Sequence, residues 1–410
     1  MWTSPFPTPS ASAVRTGAWS LGAGRHRQAV ANEQRRGAHI SGWGRYAPTR
    51  VLTNDDLSLM VDTSDEWIYQ RTGILERRVA SSGETTASMS LRAARAALDV
   101  AELDPRKVEL IIVATVTPDY VFPSTACLVQ DALGAGEAGA FDLSAGCSGF
   151  IYGLNVAAGL IEAGQCDNAV VIGAETLSCI TDWTDRDTCV LFGDGAGALV
   201  LQANGTRGGV LSTVLRADGS GGDLLKLPAG GSCQPASRET VSQRLHYIHM
   251  NGRQVFRFAS RVLPEATRQV VELADRRVED IALFVPHQAN GRIIQSALQA
   301  LKIPPDRVFT NLARYGNTSS ASVPMALAEA IDEGRVRKGD LIVCVAFGAG
   351  LTWAATAIEW SLPLPVPKPP RRRIYQRWML YRLARIQSWW RRLWRRVDAR
   401  LHRLREGDDD

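Results

Sequence analysis

Apolar residues in this chain fall into two patterns, and the two alternate along it. Nearly unbroken apolar runs at residues 108–115, 169–174, 281–285 and 341–346 read as strands buried on both faces, and residues 38–44 as a shorter strand ending in turn residues. Residues 84–98, 151–161 and 321–332 carry apolar side chains at helical spacing, and Gly164 and Gly334 stop the second and third of these helices. Residues 192–201 close the first half with a Gly-rich corner and another apolar run. Strands alternating with helices predict an α/β protein with a largely parallel, helix-covered sheet.

The second half echoes the first. Cys147 leads its helix into a strand about 22 residues on, and Asn317 does so about 24 residues on. Two related halves, residues 38–210 and 211–361, would bring the tips of their corners to one site.

With 410 residues, 45% hydrophobic and 22% charged, the chain is long enough for two core-bearing domains or one large one. No stretch reaches 18 consecutive apolar residues, so no transmembrane helix is expected. Seven cysteines, at 127, 147, 166, 179, 189, 233 and 344, form no CxxC pair, which argues for a reducing compartment and against structural zinc. The net charge of +5 hides an asymmetry: both ends are basic, and residues 39–367 carry about −8. Residues 1–37, rich in Ser, Pro, Gly, Ala and Arg with a first acid at Glu33, cannot build a core and read as a disordered leader. Their acid-poor composition also suits a transit peptide, which would make the protein organellar. A dispensable extension is the commoner explanation, and a cytoplasmic protein is expected.

The candidate chemistry lies at the corners. In Ala145-Gly146-Cys147-Ser148-Gly149-Phe150 a lone cysteine stands where a helix begins, and helix N-termini favour thiolates. The same cysteine read plainly is a small buried hydrophobe. His287 in Pro286-His287-Gln288-Ala289-Asn290 could serve as its base, and Asn317 in Gly316-Asn317-Thr318-Ser319 as a donor to an oxyanion. Singly, the histidine reads as a core or surface residue and the asparagine as a helix cap. Three such residues at corners of a duplicated fold are harder to explain as structure. The Gly-rich 347–352 suits a tight turn with amides facing the sulfur.

These motifs, with Asp62-Thr63-Ser64-Asp65-Glu66-Trp67-Ile68, Arg71-Thr72-Gly73-Ile74 and Phe192-Gly193-Asp194-Gly195-Ala196-Gly197, resemble β-ketoacyl-acyl carrier protein synthase III of the thiolase superfamily from about residue 38 to 361. The resemblance implies a five-layer αβαβα fold, a homodimer and a ping-pong decarboxylative Claisen condensation. Cys147 would take an acyl group from a short acyl-CoA, acetyl-CoA foremost, with the amides of Cys147 and Ala349 as oxyanion hole. His287 and Asn317 would hold the enolate formed from malonyl-acyl carrier protein, and no metal or redox cofactor is called for. Thr63, Trp67, Arg71, Arg186 and Asn290 would bind CoA and its pantetheine arm. Gln288, Arg257 and Arg292 would dock the acidic carrier protein, and Phe122 would reach the partner subunit's acyl pocket. Arg253 stands where some relatives have Asn and is left unassigned. Two other readings remain open at this point, a synthase III-like condensing or acyl-transfer enzyme of secondary metabolism and a tethering protein with a vestigial site.

The last stretch, residues 362–410, departs from the family. A Pro-rich linker leads into residues 371–405, with thirteen Arg and four Trp. Tyr375, Met379, Leu383, Ile386, Trp390, Leu393, Val397, Leu401 and Leu404 recur at steps of three or four, a basic amphipathic helix of the kind that lies on an anionic membrane. Packing on the protein's own body or oligomer is the alternative, and nucleic-acid binding is not expected.

Overall fold

The computed structural model describes residues 36–205, 208–363 and 371–406. The leader expected at the N-terminus lies outside the described residues as far as position 35, and so does the linker at 364–370.

Nine strands build the two main sheets: β1 (Gly37–Tyr46), β2 (Leu110–Ala114), β3 (Gly139–Leu143), β4 (Asn168–Glu175), β5 (Gly195–Asn204), β6 (Gly209–Ala217), β7 (Ile281–Pro286), β8 (Leu341–Gly348) and β9 (Thr352–Glu359). The first sheet has the order β1-β5-β4-β2-β3 and the second β7-β8-β9-β6. The helices that matter to the site or surround it are α1 (Asp65–Thr72), α2 (Thr86–Val100), α3 (Thr125–Leu133), α4 (Gly149–Glu162), α5 (Gly252–Leu273), α6 (Gly291–Leu301), α7 (Ser322–Asp332) and α8 (Arg371–Glu406).

Alternation along the strands sets the layers. On β2, Leu110 and Ile112 face a core shared with α4, α7 and the second sheet, while Ile111 and Val113 face α2 and α3. On β8, Ile342 and Cys344 join that central core, and Val343 and Val345 meet α5 and α6. The sequence of layers is therefore helix, sheet, helix, sheet, helix, with α4 and α7 in the middle, as expected. Helix α7 is buried from Ser322 to Ile331, so it reads as apolar all round rather than as a stripe.

The expected largely parallel sheet is corrected to a mixed one. The pairs β2/β3, β2/β4 and β7/β8 are parallel, and β1/β5, β4/β5, β8/β9 and β9/β6 antiparallel. Only Ala349, Gly350 and Leu351 join β8 to β9, far too short a link for the crossover that a parallel pair needs.

The tail is a helix, and it docks on the body by the face opposite its apolar stripe. Arg377, Tyr381, Ala384 and Ser388 are buried against the body, and the stripe from Met379 to Val397 is exposed. No described helix is long and apolar enough to cross a membrane.

Candidate active site

Three corners meet at the floor of one cavity of about 960 Å³, lined there by Cys147, His287, Asn317, Phe347 and Gly348. Each is placed by a different element. Strand β3 ends at Leu143, a single 3₁₀ turn spans Gly146–Ser148, and α4 begins at Gly149, so Cys147 does stand at a helix N-terminus. His287 follows β7, its N–H donating to Val345 O at 2.7 Å. Asn317 is held by its own N–H on Leu191 O at 2.8 Å and by Gly193 N–H on its carbonyl at 3.0 Å, which ties the two halves together.

The β8–β9 turn closes on the cysteine. Any side chain at Gly348 would run into the backbone of Cys147, and one at Gly146 would meet Ala349 N at 2.7 Å. Thr352 Oγ1 lies 2.8 Å from Ala145 O and 3.0 Å from Ala349 O, clamping the two loops together. Ala349 is therefore beside Cys147, where an oxyanion hole of their two amides was expected.

Polar partners orient the side chains. Ser319 N–H donates to Asn317 Oδ1 at 2.9 Å, which fixes the amide and turns its Nδ2 donor to the cavity. His287 Nδ1 is 2.6 Å from Ser322 Oγ at the start of α7, and the ring packs edge-on against Phe347. The ring's other nitrogen, Nε2, is the one left for a substrate. Burial holds His287 down at about 3, so it is a neutral imidazole at physiological pH. Burial also pushes the Cys147 thiol up to about 12; a hydrogen bond with Ser319 works against this and the carboxylate of Glu175 adds to it.

Glu175 is the residue the sequence reading missed. At the end of β4 and fully buried, it accepts hydrogen bonds from Thr115 and Thr117, from the N–H of Val116, and from the hydroxyls of Ser319 and Ser320. Burial raises its pKa despite these donors. Ser319 has φ 49°, an uncommon conformation for serine, and it touches Asn317, Glu175 and Cys147 at once. A carboxylate ending an otherwise apolar run was the available signal.

Above the floor the cavity is lined by Trp67, Arg71, Arg253, Arg257, Asn290 and Arg292, and the four arginines are exposed. Arg71 and Arg186 place their guanidinium groups 4.4 and 4.9 Å from the Trp67 ring centre, and Arg186 also donates to Asp62 O. Asn290 caps α6 through Arg292 N–H and donates to Arg71 O, which leaves one amide hydrogen for a ligand. Thr63 Oγ1 is buried without a hydrogen-bond partner and lies outside the cavity lining. Phe122 is 85% exposed and is likewise not part of this cavity.

Gln288 is a correction. It is 1% exposed, its Nε2 donates to Pro286 O, and its Oε1 accepts from Thr310 Oγ1 and Asn311 N–H. A side chain with its amide satisfied inside the fold offers nothing to a docking protein. Among the described residues no cluster of three or more His, Cys, Asp or Glu could hold a metal ion.

Two family models match the chain, 3-oxoacyl-[acyl-carrier-protein (ACP)] synthase III over residues 141–219 and the C-terminal part of the same enzyme over 271–360. A β-ketoacyl-[acyl-carrier-protein] synthase III from Symbiobacterium thermophilum is 59% identical over 322 residues, 78% of this chain and 98% of the relative. The chain belongs to the β-ketoacyl-acyl carrier protein synthase III family. The corresponding synthase from Caldanaerobacter subterraneus is 55% identical over 79% of this chain and 98% of its own. The crystal structure of the Aquifex aeolicus synthase III superposes with a TM-score of 0.74 at 49% identity, covering 79% of this chain and all of that one. A priming β-ketosynthase of the R1128 polyketide pathway has a TM-score of 0.75 at 36% identity, covering 80% and 98%. A synthase III is a condensing acyltransferase of the thiolase superfamily that works in fatty acid biosynthesis, and the layered fold found here is that fold.

Proposed function

We propose a three-residue division of labour for the reaction that starts fatty acid synthesis, condensation of an acyl-CoA with malonyl-acyl carrier protein. The observation that carries it is the meeting of Cys147, His287 and Asn317 at the floor of one cavity with an arginine rim. Cys147 Sγ bonds to the acyl carbon of acyl-CoA as the carbon–sulfur bond to CoA breaks, and the thiol proton ends on CoA. The amides of Cys147 and Ala349 hold the oxyanion that forms in between. Malonyl-acyl carrier protein then loses carbon dioxide, and the electron pair of the broken bond stays behind as a thioester enolate. Asn317 Nδ2 and His287 Nε2 donate to that enolate oxygen, with Ser322 O–H donating to His287 Nδ1 so that the ring proton sits on Nε2. The enolate carbon attacks the acyl-Cys147 carbonyl, the carbon–sulfur bond breaks, and 3-oxoacyl-acyl carrier protein leaves as the sulfur regains a proton from solvent. Thioester carbonyls carry all the developing charge, so the scheme uses no metal or redox cofactor.

Arg71 and Arg186 would meet the CoA phosphates and nucleotide beside Trp67, with Asn290 toward the pantetheine arm. Arg257 and Arg292 would receive the acidic carrier protein. The unpaired outer edge of β3, with Phe141 exposed on it, would pair with a second copy to make a homodimer, and Phe122 would reach the partner's acyl pocket. A bulky ring there suits a short primer such as acetyl. The protein would act in the cytoplasm.

Intact-protein mass spectrometry after incubation with a panel of acyl-CoAs tests this reading. An acyl mass increment in the wild type, absent from Cys147→Ala and largest with acetyl-CoA, is the expected outcome; no increment with any primer overturns it. The R1128 relative favours one competing reading, a priming enzyme of secondary metabolism. Comparing malonyl-acyl carrier protein with other acceptors separates the two.

A further inference from the structure

Helix α8 is docked by the wrong face for a helix held on by hydrophobic burial. Its buried positions are Arg377, Tyr381, Ala384 and Ser388, at steps of three and four. Arg377 donates to Leu98 O and Asp99 at 2.8 and 2.9 Å, and Ser388 and Arg392 donate to Asp131 at 2.5 and 2.7 Å. Tyr381 packs under the Arg95 guanidinium, and Ala384 fills the space above Gly134, where any Cβ would collide with it. Hydrogen bonds, ion pairs, the Tyr381 ring set against the apolar core of α2 and α3, and one close small-residue contact do the docking.

On the opposite side lie Met379, Leu383, Ile386, Trp390, Leu393 and Val397, all exposed, with Trp389 58% and Trp394 66% exposed beside them. At about 100° per residue these six sit within about 60° of the direction facing away from Tyr381. Arg382 and Arg391 flank them on the two sides. So large and continuous an apolar stripe on a soluble surface marks an interaction site.

We propose that α8 is a built-in membrane-docking element: its outer stripe enters the interfacial layer of an anionic bilayer while the flanking arginines meet lipid phosphates. Charge selects this occupant. Residues 371–405 carry thirteen Arg against one Asp, which attracts an anionic surface and repels a second copy of the same helix. Trp390 and Trp394 within the stripe suit the same layer, where an apolar ring and a polar N–H are both satisfied. The polar docking face explains how the element stays attached to the enzyme without consuming its apolar side.

The test uses full-length protein and flotation with vesicles of phosphatidylcholine alone or of equal parts phosphatidylcholine and phosphatidylglycerol. The wild type should float with the anionic vesicles only, with a blue shift of tryptophan emission. The double variant Leu383→Glu, Trp390→Glu alters only exposed positions. It should keep the thermal stability and the acyl-transfer activity of the wild type while its vesicle partitioning drops at least about tenfold. Equal flotation of wild type and variant, or none by either, overturns the proposal. So does a stripe that changes the sedimentation coefficient without vesicles, or one needed to retain nucleic acid, since either result assigns it another occupant. Acyl transfer is read separately, so failure here leaves the enzymatic reading standing.

Discussion

Two influences act on the sulfur of Cys147 in opposite directions. A helix N-terminus favours the thiolate by about 1 kcal/mol, whereas enclosure at the cavity floor costs an anion more than that, so the balance holds the resting residue as a thiol. The ultraviolet thiolate band, taken as wild type minus Cys147→Ala, should be missing at pH 7 and grow only above pH 9; a full band at pH 7 would contradict it. His287 is buried in its neutral form for the same reason, which has a consequence for stability. Between about pH 6.5 and pH 3 the unfolded chain binds a proton at this residue that the folded chain refuses. Stability contributed by His287 is therefore present above pH 6.5 and lost as the pH falls, by up to about 1.4 kcal/mol per pH unit. Urea unfolding at pH 6.5 and 4.5 should show a smaller acid loss in His287→Asn, in which the amide can still bond Ser322. Glu175 acts on the same floor from behind, holding Ser319 and Ser320 and through them the Asn317 amide, and never reaches the cavity itself.

At the scale of elements, the site depends on how closely backbone passes backbone. The turn after β8 lies against Cys147 because Gly348 has no side chain, and Ser320 approaches β4 because Gly173 has none. Helix α8 combines one such close approach, Ala384 over Gly134, with side-chain bonds from Arg377, Ser388 and Arg392. Removing them in Arg377→Ala, Ser388→Ala should cost the docked state about 2–4 kcal/mol. Limited proteolysis should then release the helix much faster while the body keeps its melting temperature. Low pH should favour release too. Burial alone would raise the Asp131 pKa, but its bonds to Ser388 and Arg392 more than offset this and lower it. That contribution is present above the ordinary carboxylate range and fades as the pH falls through it.

At the scale of the whole molecule, the acidic body has to receive an acidic partner, and only local charge makes that workable. Arg257 and Arg292 stand at the rim beside Arg71 and Arg253. Replacing Arg257 and Arg292 by Ala should raise KM for malonyl-acyl carrier protein about tenfold and weaken its salt dependence, with acyl transfer from acyl-CoA changed by less than about twofold. In the proposed dimer, an antiparallel pairing of β3 with its copy has its two-fold axis perpendicular to the sheet, so both α8 helices lie on the same outer side. Phe141→Asp should give a monomer by sedimentation and weaker vesicle binding than the paired form.

Element order and the corners that carry Cys147, His287 and Asn317 were legible in the amino-acid sequence because each is local: a run of apolar residues, a stop, a polar residue at a corner. The strand and helix limits read from the pattern agree with the structure within a few residues, as at 169–174 against Asn168–Glu175 and 321–332 against Ser322–Asp332. The tail helix and its apolar stripe were equally plain. What depended on residues distant in sequence was decided only by the tertiary structure. Gln288 read as a docking residue until the 310–311 segment folded over it, and Glu175 was one acid among many until two serines from the other half closed on it. Strand direction followed from loop length and sheet order together, and the ionisation of Cys147 and His287 from burial that neither residue's neighbours in sequence reveal. Periodicity reports which side of a helix is apolar, but which side is buried depends on the surface offered to it, and for α8 that surface was Asp99, Asp131, Arg95 and Gly134.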